Sequence, residues 1–311
     1  MKPSSLITVQ HFNCSSMGTR FDFLTYGLDE DFFLSAKTFI INELDRIEQK
    51  FSRFYEGSEI FRINQTAATE PVTTDAETIA LLRLCQEYYL KTNKLFDITV
   101  GKFTNLPAES DPSEEDKTST ISLGTDKILI DLKESTVRFL NPLLSIDLGG
   151  IGKGYALENI KRYCSENRIT NALINFGDSS VTTIGTHPHG DYWPIGIQHA
   201  FTSGSSIHTF ALRDASLSTS GNTPNNRIKF GDTGHILNPL TGKFQNETMT
   251  VSVVTTSPIE AEVLSTALFI ASDKEKAEIL NRFKPGEAIV ISYNQSNEHK
   301  VVSLKLELAT T

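Results

Sequence analysis

An α+β fold is what this sequence predicts, and three observations carry it. Apolar residues recur at helical spacing in a few long stretches. Strand-like runs come in clusters rather than alternating with helices, and no internal repeat period emerges. The 311 residues, 39% hydrophobic and 22% charged, suffice for one large core or two modest ones. No stretch has the composition of a linker, so a single domain over 1–311 is expected.

The elements follow in chain order. Two short strands, 6–13 and 19–26, flank Cys14-Ser-Ser-Met-Gly18. A long amphipathic helix is expected over 32–51, with Phe33, Ala36, Ile40, Leu44 and Ile47 on one face. The turn-rich segment 51–60 links it to a short helix ending near Asn64, and a second helix over 75–92 leads into Phe96-Asp-Ile-Thr-Val-Gly101. Residues 104–120 carry Glu109, Asp111, Glu114, Glu115 and Asp116, the composition of a solvent-exposed acidic insertion. Strands dominate 126–147, and the last of them ends at Asp147. A glycine turn follows, and then a helix with Ala156, Ile160 and Tyr163 at helical spacing. Strands return over 171–219 and 249–256. Helices at 259–271 and 274–282 precede closing strands at 286–293 and 300–307.

Bulk chemistry excludes some partners. A net charge of −9 offers no basic face for a phosphate backbone, which argues against nucleic acid. No window approaches the roughly 18 apolar residues of a membrane span. Cys14, Cys85 and Cys164 form neither a zinc pattern nor a disulfide framework and suit a reducing compartment. The N-terminus lacks an apolar run of signal-peptide length, and none precedes Cys14 as a lipid-modified cysteine requires. A soluble, cytoplasmic protein is expected.

The segment Ser145-Ile-Asp-Leu-Gly-Gly-Ile-Gly-Lys-Gly154 is the most informative in the chain. Glycines let a backbone approach a ligand, and the free N–H groups of a following helix favour phosphate. The spacing is neither that of a P-loop nor that of a dinucleotide fold, and alone such a turn is more often close packing than a phosphate site. Other segments have ligand-binding character. Met17-Gly-Thr19 lies between the first strands, and Ser218-Thr-Ser-Gly-Asn222 follows an apolar strand. Gly234-His-Ile-Leu-Asn-Pro-Leu-Thr-Gly242 sets a histidine before a proline–glycine turn. Glu262 and Thr266 are four apart, on one helical face, and two hard oxygen donors suit Mg²⁺. Each has a plainer reading alone: a structural histidine, a helix start, a strand-end turn.

Their order along one chain is more specific. From Met17 to about Ile270, these segments resemble the ApbE-type flavin transferases, the FAD:protein FMN transferase family. The resemblance also takes in Phe51-Ser-Arg-Phe54, Ser58-Glu59, Asn64, Phe96-Asp-Ile-Thr-Val-Gly101, Thr219-Ser-Gly221 and 261–268. It implies an ApbE-like, T-fold-related arrangement of mixed sheets with packed helices and an active site in a cleft between sheet regions. It implies Mg²⁺-dependent transfer of FMN from FAD to a threonine hydroxyl of a partner flavoprotein. FAD hydrolysis to FMN and AMP, or FAD binding without turnover, are the alternatives. By that resemblance Met17, Phe54, Asp147, Lys153, Ser220, Gly221, Ile236 and Leu237 would line the FAD site. The Gly150 carbonyl, Glu262 and Thr266 would hold the metal, and His235 would be the general base. The chain departs from the family at Glu262, where Asp is usual, and at Leu106-Pro-Ala-Glu109, where Trp-Gly-Phe is common. Asp178 stands where a second glycine is common, and Leu240 replaces a frequent basic residue.

Overall fold

A computed structural model describes residues 7–103, 123–202, 204–223 and 236–304. The acidic stretch 104–120 and His235 lie outside the described residues. The chain divides into two compact units. One comprises the described residues of Met1–Glu48, Lys153–Ser218 and Val254–Glu262, and the other those of Gln49–Gly152, Thr219–Val253 and Val263–Thr311.

In the first unit, β1 (Val9–Ser16) and β2 (Thr19–Tyr26) form a hairpin in unbroken register, Val9 opposite Tyr26 and Ser16 opposite Thr19. Only Met17 and Gly18 make the turn, with φ of 50° and 69°. Positive φ at both central residues is what a two-residue type I′ hairpin requires, and its twist matches that of the strands. Helix α1 (Glu30–Phe51) begins two residues earlier than its apolar spacing predicts, because the Asp29 carboxylate accepts the Phe32 N–H at 2.8 Å. Ala36, Ile40, Leu44 and Ile47 are all buried, as the spacing predicts. Phe33 is half-buried and meets Phe12 of β1 edge-on at 6.1 Å.

Antiparallel neighbours extend the hairpin in the order β1-β2-β6-β7-β10, with β6 Ala172–Phe176, β7 Ser180–Ile184 and β10 Ser216–Gly221. Phe21 pairs with Phe176, and their rings meet edge-to-face at 5.3 Å in a fully buried core. Burial of rings this size is the dominant favourable term for such a sheet face. A separate hairpin joins β8 (Trp193–Gln198) to β9 (Ser206–Leu212). Helix α4 (Gly152–Glu166) buries Ala156 and Ile160, while Tyr163 lies half-exposed, stacked on Phe39 at 3.9 Å.

The second unit holds α2 (Glu59–Thr66) and α3 (Ala76–Lys91), each with a side-chain cap. Ser58 accepts the Phe61 N–H and Asp75 accepts the Thr78 N–H, both at 2.9 Å. Its small sheet has the order β3-β5-β4, from Val72–Thr73, Thr136–Phe139 and Ile128–Asp131. A short ladder pairs β11 (Leu237–Asn238) with β12 (Lys243–Phe244). The end of β10 is followed in sheet order by β13 (Met249–Thr255), β14 (Glu287–Tyr293) and β15 (His299–Ser303). Helix α5 (Pro258–Ile270) precedes α6 (Asp273–Phe283), which opens with a capping box between Ser272 and Glu275.

One expected element differs. The strand ending at Asp147 is not a strand but a single parallel bridge, Val100 with Ser145. The backbone groups of Ile146 are taken by a side chain instead. Asn64 accepts the Ile146 N–H at 2.7 Å and donates to its carbonyl at 2.9 Å. The amide of Asn64 thus stands in for a neighbouring strand, satisfying both groups without extending a ladder. Among the described residues, no helix is long and apolar enough to cross a membrane.

Candidate functional site

In the second unit, Asp147 ends the segment that Asn64 holds, and its Oδ1 accepts the Gly149 N–H at 2.8 Å. Arg53, from the turn after α1, brings its Nε to 3.2 Å from Asp147 Oδ2 and donates through Nη1 to the Gly101 carbonyl at 2.7 Å. Gly101 has no room for a side chain: a Cβ there would lie 2.7 Å from the Ser145 carbonyl oxygen. That close approach lets 98–101 hydrogen-bond to 145–147, with the Asp147 N–H on the Ile98 carbonyl at 2.7 Å.

The Asp97 of Phe96-Asp-Ile-Thr-Val-Gly101 serves this scaffold. Its Oδ1 accepts the Thr99 N–H at 2.8 Å and the Thr99 and Thr125 hydroxyls at 2.7 Å. Burial pushes its carboxyl above the usual range, against the pull of those hydrogen bonds. Phe54, on the same turn as Arg53, is 73% exposed, and its ring lies over the guanidinium at 4.4 Å. Gly150 is exposed in the turn, and a Cβ there would meet the Phe96 ring at 3.3 Å.

In the first unit the helix end of the motif is explained by close packing. A Cβ on Gly154 would lie 2.7 Å from the Pro258 carbonyl oxygen and 2.9 Å from the Ile259 Cα, so α4 starts against the start of α5. Glu262 reaches across this contact. Its Oε2 accepts the Gly154 N–H at 2.7 Å, and its Oε1 accepts Lys153 Nζ at 2.6 Å and the Ser180 hydroxyl at 2.7 Å. A helix N-terminus leaves N–H groups without intrahelical partners and carries a partial positive charge, so a carboxylate there is doubly favoured. Glu262 is therefore the cap of α4, supplied from another helix. Its side chain is 4% exposed and that of Lys153 22%. A carboxylate so buried needs the ion pair and hydrogen bonds that it has.

Met17, in the tight turn of the first hairpin, is held by Glu48 of α1. The Glu48 Oε2 accepts the Met17 N–H at 2.8 Å and the Ser16 hydroxyl at 3.1 Å. In the second unit, Ser220 lies within hydrogen-bond reach of Ser265 at 2.9 Å and Thr266 at 3.2 Å. Gly221 is required there, since a Cβ would meet the Thr250 methyl at 2.6 Å. Ile236 and Leu237 are buried, and the Ile236 carbonyl accepts the Gln245 N–H at 2.9 Å.

The structure thus brings Lys153 to Glu262, and Ser220 to Thr266, and sets Asp147 and Phe54 on one arginine. Sequence reading passed over Arg53, Glu48, Ser180 and the capping role of Glu262. The signal for Arg53 lay in plain view in Phe51-Ser-Arg-Phe54, whereas nothing in the spacing connects Ser180 to Glu262. Among the described residues no group of three or more His, Cys, Asp or Glu is placed to hold a metal. Gly150, Glu262 and Thr266 each carry oxygen, the hard donor type that Mg²⁺ takes. All three cysteines are free, and burial pushes up every thiol, that of Cys164 to about 12.

Residues 17–291 match the ApbE family model, most of the sequence. The chain belongs to the ApbE family. Similar relatives include the FAD:protein FMN transferase of Chlamydia trachomatis serovar D, 29% identical over 81% of this chain and 80% of the relative. That of Escherichia coli K12 is 23% identical over 86% and 80%. The fold matches the crystal structure of the ApbE protein of Thermotoga maritima, with a TM-score of 0.80, 25% identity, and coverage of 94% of this chain and 96% of that one. It also matches the flavin transferase ApbE of Vibrio cholerae, with a TM-score of 0.81, 21% identity, and coverage of 96% and 97%. Mixed sheets with packed helices, the ApbE-like α+β class expected from the sequence, are what the chain has.

Proposed function

We propose that this chain is an Mg²⁺-dependent FAD:protein FMN transferase acting on a threonine hydroxyl of a partner flavoprotein. One observation carries the reading: relatives bearing that activity in their names align over about four fifths of the chain, and the family model's match over 17–291 spans the motif segments singled out above. In the reaction, the threonine oxygen forms a bond to the FMN phosphorus, and the bond to the AMP oxygen breaks. AMP leaves with the electron pair, and the hydroxyl proton passes to a base. His235 is assigned as that base, since an imidazole with a pKa near 6.5 can accept a proton at neutral pH, an effect of roughly 10²–10⁴-fold.

This chain's own residues orient the dinucleotide. Asp147, fixed through Gly149 and Arg53, offers a set carboxylate, and the exposed Phe54 ring offers a planar face. Met17 presents its side chain from a turn that Glu48 pins. Lys153 keeps part of its side chain accessible while Glu262 balances its charge. The Gly150 carbonyl, Glu262 and Thr266 would hold Mg²⁺, which when bound neutralises charge developing on the pyrophosphate.

A second reading is favoured by one observation. The Glu262 carboxylate is already engaged by Lys153, Ser180 and the Gly154 N–H, the pattern of a structural brace. A flavin-binding protein without turnover fits that pattern. The deciding experiment incubates the purified chain with FAD and Mg²⁺, with and without a threonine-bearing acceptor domain. Mass gain on the acceptor that EDTA abolishes supports the transferase. FMN and AMP without labelling point to hydrolysis, and intact bound FAD points to the binding protein.

A further inference from the structure

We propose that Arg53 is a positioning residue for FAD, fixing the Phe54 ring and the Asp147 carboxylate with one guanidinium. The inference rests on the flavin-site reading above and extends it to a residue that makes up no part of that reading's ligand set. Three contacts converge on the side chain, which is only 10% exposed: Asp147 Oδ2 at Nε, the Gly101 carbonyl at Nη1, and the Phe54 ring over Cζ. An arginine so buried requires a partner for its charge, which the Asp147 carboxylate supplies, and the Gly101 carbonyl accepts from its Nη1.

The consequence for Phe54 is specific. A ring that is 73% exposed has little packing to orient it, and a planar cation on one face supplies that orientation. The opposite face stays open to a planar heteroaromatic ring. The consequence for Asp147 is similar. With Oδ1 on the Gly149 N–H and Oδ2 against Arg53, the carboxylate is held from two sides. The Gly101 contact ties both to 98–101, which hydrogen-bonds to 145–147, so the ring and the carboxylate are referenced to one rigid segment. Lysine supplies the charge without the planar fork or the stacking surface, so the substitution is not conservative at such a position.

The test measures FAD affinity by flavin fluorescence, and KM for FAD separately from kcat, for wild type, Arg53→Lys, Phe54→Leu and the double variant. Thermal melting confirms that each is folded. The expected result is an FAD Kd raised about tenfold in Arg53→Lys, with KM raised by a larger factor than kcat falls. The double variant is expected to lose less than the product of the single losses, because both substitutions remove one stacked pair. Arg53→Lys binding FAD as wild type does, or losses that multiply independently, overturn the proposal while leaving the flavin reading intact. A folded wild-type chain that binds no FAD overturns both.

Discussion

Shortening Glu262 by one methylene tests the brace at the start of α4. The Glu262→Asp variant keeps the charge and withdraws the carboxylate by about one C–C bond, roughly 1.5 Å. The three contacts at 2.6, 2.7 and 2.7 Å would then stretch beyond the hydrogen-bond limit of about 3.5 Å unless α5 advances. The close approach at Gly154, where a Cβ would already lie 2.7 Å from the Pro258 carbonyl oxygen, limits that advance. Hydrogen bonds to charged groups contribute about 1.5–3 kcal/mol each, and breaking a buried ion pair costs about 3–5 kcal/mol. Lys153 regains water because it is partly exposed, which offsets some of the loss. The net expectation is a destabilisation of about 2–4 kcal/mol, a fall in melting temperature of about 3–6 °C for a chain of this size. Scanning calorimetry in EDTA reads it without any metal effect. A double-mutant cycle of Glu262→Gln with Lys153→Met should show coupling of at least about 0.5 kcal/mol. A Glu262→Asp melting point within about 1 °C of wild type would refute the bracing argument. A large rise in turnover in the same variant would instead show that the longer side chain had impaired a metal site.

Other perturbations probe the parts separately. Gly154→Ala should destabilise by about 1–3 kcal/mol in urea unfolding, because its methyl meets backbone that cannot yield. Glu48→Ala should cost about 1–3 kcal/mol by leaving the Met17 N–H without its acceptor, with Glu48→Gln recovering part of it, again by urea unfolding. Asp97→Asn should melt at or above the wild-type temperature at pH 7, since the amide oxygen can still accept from Thr99 and Thr125 without a desolvated charge. The sign follows from the raised carboxyl. The folded state binds the proton more tightly than the unfolded state, so the charged aspartate costs stability above its folded pKa, and that cost disappears on acidification below the unfolded value. The advantage of the asparagine should therefore shrink as melts move from pH 7 toward pH 4. An advantage that grows on acidification would contradict the shift.

Much of the fold was legible because it rests on local periodicity. The face of α1 follows from apolar spacing alone, and Ala36, Ile40, Leu44 and Ile47 are where that spacing puts them. The segment before the glycine turn was not legible, because an apolar run such as Leu143-Leu-Ser-Ile146 reads as a strand whether or not a partner strand exists. Here the partner is the side chain of Asn64, distant in sequence and invisible to periodicity. The site divides in the same way. The glycine motif and the Glu262–Thr266 pair have recognisable spacing. The role of Glu262 as a cap depends on Lys153 and Gly154 meeting it from more than 100 positions away, and on Ser180 from 82. Only the folded chain juxtaposes them.

The segmented makeup of the first unit has a consequence for biosynthesis. Its hairpin β1–β2 emerges from the ribosome early, yet Phe21 pairs with Phe176 of β6 and the stretch ending at Glu262 comes later still. At translation rates of roughly 5–20 residues per second, the apolar face of that hairpin waits on the order of 10–30 s for its neighbour strand. An exposed two-stranded ribbon with a bare edge is marginal in water and prone to foreign pairing. Nascent chains should therefore be substrates for holding chaperones until translation has passed β6. Synonymous codons that slow the ribosome before Phe176 should lower the soluble yield of an unchanged protein.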